Sequence, residues 1–303
     1  MIIALSGGIG GAKLALGLSQ VLPPGELLIV ANTGDDFEHL GLSISPDIDT
    51  LTYALAGLDN TELGWGRRDE TWSFMETLGA IGGETWFRLG DRDLALHVER
   101  TRRLCAGETL SAVTADVARR LGIAPRLLPM SDDPVRTRIL SDGVWIDFQD
   151  WFVRQRCAPA FHGLEFAGAA EARPQPELLA ALRAGPRAVV ICPSNPFISI
   201  EPILAVPGLR AAIAACGAPV IAVSPIIAGQ AVKGPTATMF AQSGTAPSAA
   251  AVAARYADIL THYVMEPGDD AAGIAARVSR APILMRTLED KISLARAVLA
   301  AIG

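Results

Sequence analysis

The stretch that most limits what this chain can fold into is its start, Met1-Ile2-Ile3-Ala4-Leu5-Ser6-Gly7-Gly8-Ile9-Gly10-Gly11-Ala12-Lys13. A short apolar run ends in Ser6, and four glycines follow within five residues. Lys13 then opens a helical pattern carried by Leu14, Leu18 and Val21, which are expected to pack on a sheet. A buried strand, a glycine turn and a helix N-terminus make the first unit of a nucleotide-binding α/β sheet. Glycines let the backbone approach a phosphate closely, and the unpaired amides and dipole of a helix N-terminus favour an anion. The loop matches neither common phosphate motif. A dinucleotide fingerprint starting at Gly8 and Gly10 meets Lys13 at its third position, and a Walker loop needs Ser or Thr where Leu14 follows the lysine. Gly7, Gly8, Gly10, Gly11 and Lys13 are therefore expected to form a phosphate cradle of another kind. The competing reading is a turn that binds nothing, and four glycines are more than turn geometry alone needs.

Pro23-Pro24-Gly25 closes the first helix, and Leu27-Leu28-Ile29-Val30-Ala31 is a continuous apolar run, as in a parallel strand buried on both faces. It runs into Asn32-Thr33-Gly34-Asp35-Asp36. A dinucleotide fold would place a ribose-binding acid at that strand end, where this chain has Asn32. Next comes Ser45-Pro46-Asp47-Ile48-Asp49-Thr50, at the start of a helix continued by Leu51, Leu55 and Leu58. The ordinary reading of one of its two acids is a helix cap. Two acidic clusters beside a phosphate loop point further, to a divalent metal site with Asp35, Asp36, Asp47 and Asp49 as candidate ligands.

With 303 residues, half of them hydrophobic, the chain can build one large α/β domain with an insertion, or two domains. A net charge of −6 argues against nonspecific nucleic-acid binding, so an anionic ligand needs a local site. Cys105, Cys157, Cys192 and Cys216 are scattered and read as reduced thiols; with no basic leader before the first strand, a cytoplasmic location is expected. Ala211 to Val232 carries no charge and is long enough to span a membrane, but Gly217, Pro219, Ser224 and Pro225 divide it into helix, turn, strand and turn. His39, His97, His162 and His262 are isolated in sequence and none is assigned a metal.

Residues 60–122 read as mainly helical, with Trp65, Trp72 and Trp86 expected in the core. Leu127-Leu128 is strand-like and ends in Ser131-Asp132-Asp133; Val144 to Ile146 and Phe161 to Phe166 are expected strands of an insertion, and Arg173-Pro174-Gln175-Pro176 is the linker back. Ala188 to Ile191 and Val220 to Val223 are buried strands entering proline-marked polar loops, Cys192–Ile200 and Ser224–Pro235, as at a ligand-binding sheet edge. A helix from 247 to 256, a strand from 261 to 265, a short strand near 282–285 and a closing helix with Leu288, Ile292, Ala295, Leu299 and Ile302 on one face complete the chain. The expected fold is a Rossmann-like three-layer α/β domain with a mainly parallel sheet, built from residues 1–60 and 185–303, with residues 61–184 as a mixed, largely helical insertion.

These loops together resemble one family, the 2-phospho-L-lactate transferases of deazaflavin coenzyme biosynthesis. The likeness covers Ser6–Lys13, Asn32–Asp36, Ser45–Thr50, Leu89-Gly90-Asp91-Arg92-Asp93, Pro129–Asp133, Cys192–Pro196 and Ser224–Pro235. The resemblance implies that the ribityl hydroxyl of the deazaflavin Fo attacks a guanosine diphospho conjugate of a three-carbon acid. GMP leaves, and the product is coenzyme F420-0 or its dehydro form. It also implies magnesium, a homodimer, and a donor carrying lactate, enolpyruvate or glycerate. Asp49 and Arg88 match positions that contact the deazaflavin, with Asp49 the expected catalytic carboxylate. Asn195 and Ser199 would help the glycine loop hold the guanosine nucleotide. Two other classes compete. A related group binds nucleotide sugars without turnover, but carries a P-G-D-x-R-N-like stretch where this chain has Ser45–Thr50. An NAD(P) oxidoreductase is disfavoured by Lys13 and Asn32.

Overall fold

The computed structural model describes residues 1–232 and 234–303; Lys233, inside the Ser224–Pro235 loop, lies outside the described residues. The chain begins β1 (Ile2–Ser6), α1 (Gly8–Val21), β2 (Leu27–Ala31), then a hairpin of β3 (Phe37–His39) and β4 (Leu42–Ile44). Helices α2 (Pro46–Leu55), α3 (Ser73–Ala80), α4 (Asp91–Cys105) and α5 (Leu110–Arg120) follow. Strands β5 (Arg126–Pro129), β6 (Arg136–Ser141), β7 (Val144–Asp147) and β8 (Gly163–Ala167) precede α6 (Pro176–Arg183). The last part holds β9 (Ala188–Ile191), α7 (Glu201–Ala205), α8 (Leu209–Ala215), β10 (Val220–Val223), β11 (Ile226–Ile227) and β12 (Gln230–Ala231). It ends with α9 (Thr236–Gln242), α10 (Ala249–Ala254), β13 (His262–Met265), β14 (Arg277–Arg280) and α11 (Leu288–Ala300).

Seven strands form one sheet in the order β14-β13-β10-β9-β1-β2-β5, parallel throughout. All five residues of β1 are buried, so both faces of its sheet are covered. Alternation along the strand divides the core. Ile2 and Ala4 join Leu14, Leu18, Ile48, Leu51, Leu294 and Val298 under α1, α2 and α11. Ile3 and Leu5 join Trp151, Leu178, Leu182, Ile203, Ile213 and Tyr263 on the other face. The result is the expected three-layer architecture, with β1 paired directly to β9 as Ile2 to Ala188 through Leu5 to Ile191.

Several local expectations differ. The sheet also takes β5 from the middle of the chain, because Leu127 and Leu128 are buried and pair beside β2. The 61–184 stretch is thus not wholly outside the main sheet. The strand expected near 282–285 lies earlier, at β14, whose register continues β13; Ile283 and Met285 are instead buried as single contacts of the core. Of the face expected on α11, Ala295 is buried and Leu299 and Ile302 pack at the edge of the core, but the buried centre is Lys291, Leu294, Ala295 and Val298, and Leu288 is 49% exposed. The tryptophans at 65, 72 and 86 are not core residues: Trp65 is exposed and the other two are half-buried. The core around them is small, centred on Ile44, Met75 and Leu89, and leaves aromatic faces uncovered.

Helices α1 and α11 approach closely at Gly17, where a Cβ would stand 2.1 Å from the Lys291 carbonyl oxygen. Backbone cannot yield as a flexible side chain does. Gly17→Ala is expected to cost about 1–3 kcal/mol through overpacking. A lowered denaturant midpoint with unchanged slope is the expected reading; an unchanged midpoint would mean that α11 shifts freely.

Candidate active site at the sheet switch point

The chain lays β2 and β5 on one side of β1 and then crosses to lay β9, β10, β13 and β14 on the other. The strand order therefore reverses between β1 and β9, and in such sheets the ligand crevice lies outside the carboxyl ends of that pair. Two loops meet there, Ser6–Gly11 and Cys192–Ser199. Ser194 locks them together: its hydroxyl donates to the Gly7 carbonyl (2.7 Å) and accepts from the Gly7 amide (3.2 Å). A Cβ at Gly10 would lie 2.3 Å from the Pro193 carbonyl oxygen, and one at Gly11 2.5 Å from Ser194 Oγ. A Cβ at Gly7 would meet both Asp47 and Ser199 at 2.6 Å. Gly8 adopts a φ of +62°. Packing within the chain thus accounts for each of the four glycines, and a bulky residue at Gly10 or Gly11 would damage the junction itself as well as any ligand contact.

Helix α1 has no side-chain cap, and the Gly8 amide donates to Asp47 Oδ1 at 2.5 Å. Lys13 directs its ammonium to the Met285 carbonyl at 2.8 Å, and burial lowers its pKa. Asn195 caps the helical turn Pro196–Ile200 by accepting from the Phe197 amide (2.9 Å), and Ser199 is buried beneath Gly7.

The acids that follow β2 sit deep. Asn32 is fully buried; its side-chain amide donates to Asp35 Oδ1 (2.9 Å), Asp47 Oδ2 (2.9 Å) and the Ile198 carbonyl (3.1 Å), and its oxygen accepts from the Gly34 amide (2.8 Å). It thereby brings Asp35 and Asp47 together at the crevice. Asp36 accepts from the Ser45 hydroxyl at 2.8 Å and its other oxygen has no partner among the described residues. Burial raises all three pKa values: Asp35 well above the ordinary range, with the Asp47 charge adding to it, Asp36 to about 7 and Asp47 to about 6. Arg136 opposes the rise at Asp36, and both line a cavity of about 140 Å³ with Ser45 and Ser131. Buried carboxylate oxygens held by neutral donors are the hard ligand set that suits magnesium.

Asp49 faces elsewhere. Both its oxygens are held by the buried Arg100 of α4, one at 3.1 Å. His97 stands between Asp49 (3.7 Å) and Asp93 (3.2 Å), and Asp93 accepts from the Tyr53 hydroxyl. Burial opposes ionisation of Asp93, yet His97 and Tyr53 outweigh it and hold its pKa low. Although isolated in sequence, His97 therefore lies in a cluster whose ligand atoms with Asp49 and Asp93 fall within 4.8 Å of one another. Arg88 is exposed and lies 4.0 Å over the Trp72 ring, so it and Asp49 engage different neighbours. The other quoted acids serve structure. Asp91 caps α3 through the Ser73 and Phe74 amides, Asp132 holds Ser111 at the start of α5, and Asp133 binds Arg173. Sequence reading missed Asn32, Tyr53, Asp93, His97 and Arg100 as site residues. The available signal was spacing: Asp49 and Tyr53 are four apart, and Asp93, His97 and Arg100 follow at four and three, each set on one helix face.

The family model described as "2-phospho-L-lactate transferase CofD" matches residues 2–273. A "Phosphoenolpyruvate transferase" of Streptomyces griseus is 42% identical, over 98% of this chain and 97% of its own length. Proteins of the same name from Kitasatospora aureofaciens and Thermobifida fusca are 42% and 39% identical, over 99% and 98% of this chain and 97% and 96% of their own lengths. A crystal structure of a upf0052-family protein from Bacillus halodurans shares the fold with a TM-score of 0.64, at 15% identity over 98% of this chain and 99% of that one. No single helix among the described residues is long and apolar enough to cross a membrane.

A raised carboxyl pKa gives stability that is complete below the unfolded value, about 4, and lost as pH rises through the folded one. Metal-free wild type is therefore expected to lose stability relative to Asp36→Asn as pH rises from about 4 to about 7, the value of folded Asp36. Melting temperatures of both proteins in chelator across that range check this; parallel curves would place Asp36 in contact with water.

Proposed function

The chain belongs to the 2-phospho-L-lactate transferase CofD family, and from that premise we propose that it transfers a phosphoenolpyruvate group from a guanosine diphospho donor to the ribityl hydroxyl of deazaflavin Fo. GMP is released and dehydro coenzyme F420-0 is formed. The names of the similar proteins support enolpyruvate as the acid. The observation that carries the reading is the convergence of the α1 N-terminus with the Asp35–Asp47 pair at the β1/β9 crevice. One end offers helix amides to a diphosphate; the other offers acids to a cation that accompanies it.

In this reading the Gly7–Gly11 turn and Lys13 face the donor diphosphate, and Asn195 and Ser199 support the guanosine side. Asp35 and Asp47 would hold magnesium, which when bound neutralises charge on the transferred group and polarises the acceptor hydroxyl. Phosphoryl-type transfer depends on positioning and electrostatics more than on covalent chemistry. The hydroxyl oxygen forms a bond to the phosphorus next to the acid, the bond from that phosphorus to the bridging oxygen breaks, and GMP takes the electron pair. To Asp36 we assign the role of taking the hydroxyl proton: its pKa is raised to about 7, and one of its oxygens has no hydrogen-bond partner among the described residues. The proton-accepting role expected of Asp49 passes to Asp36, because Arg100 holds both Asp49 oxygens. Asp49 and Arg88 keep the deazaflavin contact. A cytoplasmic homodimer acting on these small-molecule substrates is part of the same proposal.

Mass spectrometry after offering Fo, magnesium and each of the three donors tests the reading. The dehydro product from the enolpyruvate donor is expected, with loss of turnover in chelator. Binding of a UDP-sugar without turnover of any donor would favour the related nucleotide-sugar-binding group instead. Asp36→Asn is expected to lower turnover at saturating substrates by about 10²–10⁴-fold, the usual worth of a general base. Near-normal turnover would move the proton acceptor to Asp35 or Asp47.

A further inference from the structure

Two helices from different parts of the fold face each other with a row of ionisable side chains. Helix α2, on the main sheet, contributes Asp49 and Tyr53; helix α4, in the middle of the chain, contributes Asp93, His97 and Arg100. The spacings place each set on one face. Arg100 is 2% exposed and His97 1%, so neither is a solvated surface charge. The row is ordered: Tyr53 donates to Asp93, Asp93 faces His97, His97 faces Asp49, and Asp49 accepts from both terminal nitrogens of Arg100. Helix α4 is pinned beside it. Thr101 Oγ1 accepts from the Ser43 amide at 2.8 Å and donates to the His97 carbonyl at 2.7 Å, and Ser43 lies in β4, just before α2.

A buried guanidinium needs a carboxylate, and a carboxylate held at both oxygens by a planar fork has one orientation. A plain helix cap would not require this; the Asp49 side chain caps nothing here, and its amide bonds to the Ser45 carbonyl as in any first turn. We infer that Arg100, backed by His97, is the positioning residue that fixes Asp49 for the acceptor, so that the α4 helix sets the orientation of the deazaflavin end of the site. This rests on the transferase reading above and adds to it a residue that need not touch either substrate. The donor end is built by other elements, the Gly7–Gly11 turn and the Cys192–Ser199 loop.

The consequence is a separation of effects. Arg100→Lys keeps the charge but loses the two-point grip, which removes a hydrogen bond between charged groups. Affinity for Fo and its KM are expected to weaken by about 10–100-fold. GDP affinity is expected to stay within about twofold, since α1 and the β9 loop are untouched. Asp49→Asn in the Arg100→Lys background should add little further loss, because both act through one contact. Fo binding is read by its own fluorescence on titration, GDP binding by calorimetry, and folding by a thermal melt. His97→Asn and Tyr53→Phe, which leave the ion pair in place, serve if Arg100→Lys unfolds, and smaller losses in Fo affinity alone are expected of them. Unchanged Fo affinity in the folded variants, or an equal loss for Fo and GDP, would overturn the inference. A wild-type protein that neither binds Fo nor turns over any donor would instead overturn the transferase reading beneath it.

Discussion

The carboxamide of Asn32 is the interaction on which the crevice depends. With no exposure to water, it touches Asp35, Asp47, Gly34 and Ile198, and so joins the end of β2, the start of α2 and the turn after β9. Without a neutral donor between them, two buried carboxylates would repel at close range in a medium that screens poorly. An acid at this strand end, as in a dinucleotide-binding fold, would add a third negative charge to the same space. The amide makes it possible for α2 to bring Asp47 against the N-terminus of α1, and the glycine turn accommodates that approach.

The acids of the chain divide by their partners. Asp35, Asp36 and Asp47 are met mainly by neutral donors, and burial drives their pKa values up. Asp49 is met by a guanidinium, and Asp91, Asp132 and Asp133 are consumed in capping and surface pairing. Acidic clusters that look equivalent along the chain therefore differ in what they can do. Carboxylates held by hydroxyls and amides retain unmet demand for positive charge; those held by arginine do not.

Much of the fold was legible from strand-length apolar runs. Ile2 to Leu5, Leu27 to Ala31, Ala188 to Ile191 and Val220 to Val223 are all buried strands of one parallel sheet, because a strand covered on both faces has no polar alternation to blur it. Edges were less clear. Strand β14 reads Arg-Val-Ser-Arg, with both arginines exposed, and nothing in its composition marks it as a partner of β13. The helical middle misled through its tryptophans, which resemble core residues by type but lie over a small apolar centre. At the site, local motifs found the glycine turn and the acids. The partners that decide their chemistry did not stand out, since Arg100 lies 51 residues from Asp49 and looks like one more charge on an arginine-rich helix.

The lock between Gly7 and Ser194 joins residues 187 apart. Strands β1 and β9 lie at the centre of the sheet, yet the whole middle of the chain separates them in sequence. Closing so long a loop costs entropy before the contact returns anything, and parallel pairing of this kind is intrinsically slow. During synthesis the glycine turn must therefore stand with its Pro193–Ser194 counterpart absent, its amides and the nearby acids open to water. The crevice comes into being only when the last third of the chain docks, so assembly of the binding site and completion of the sheet are the same event.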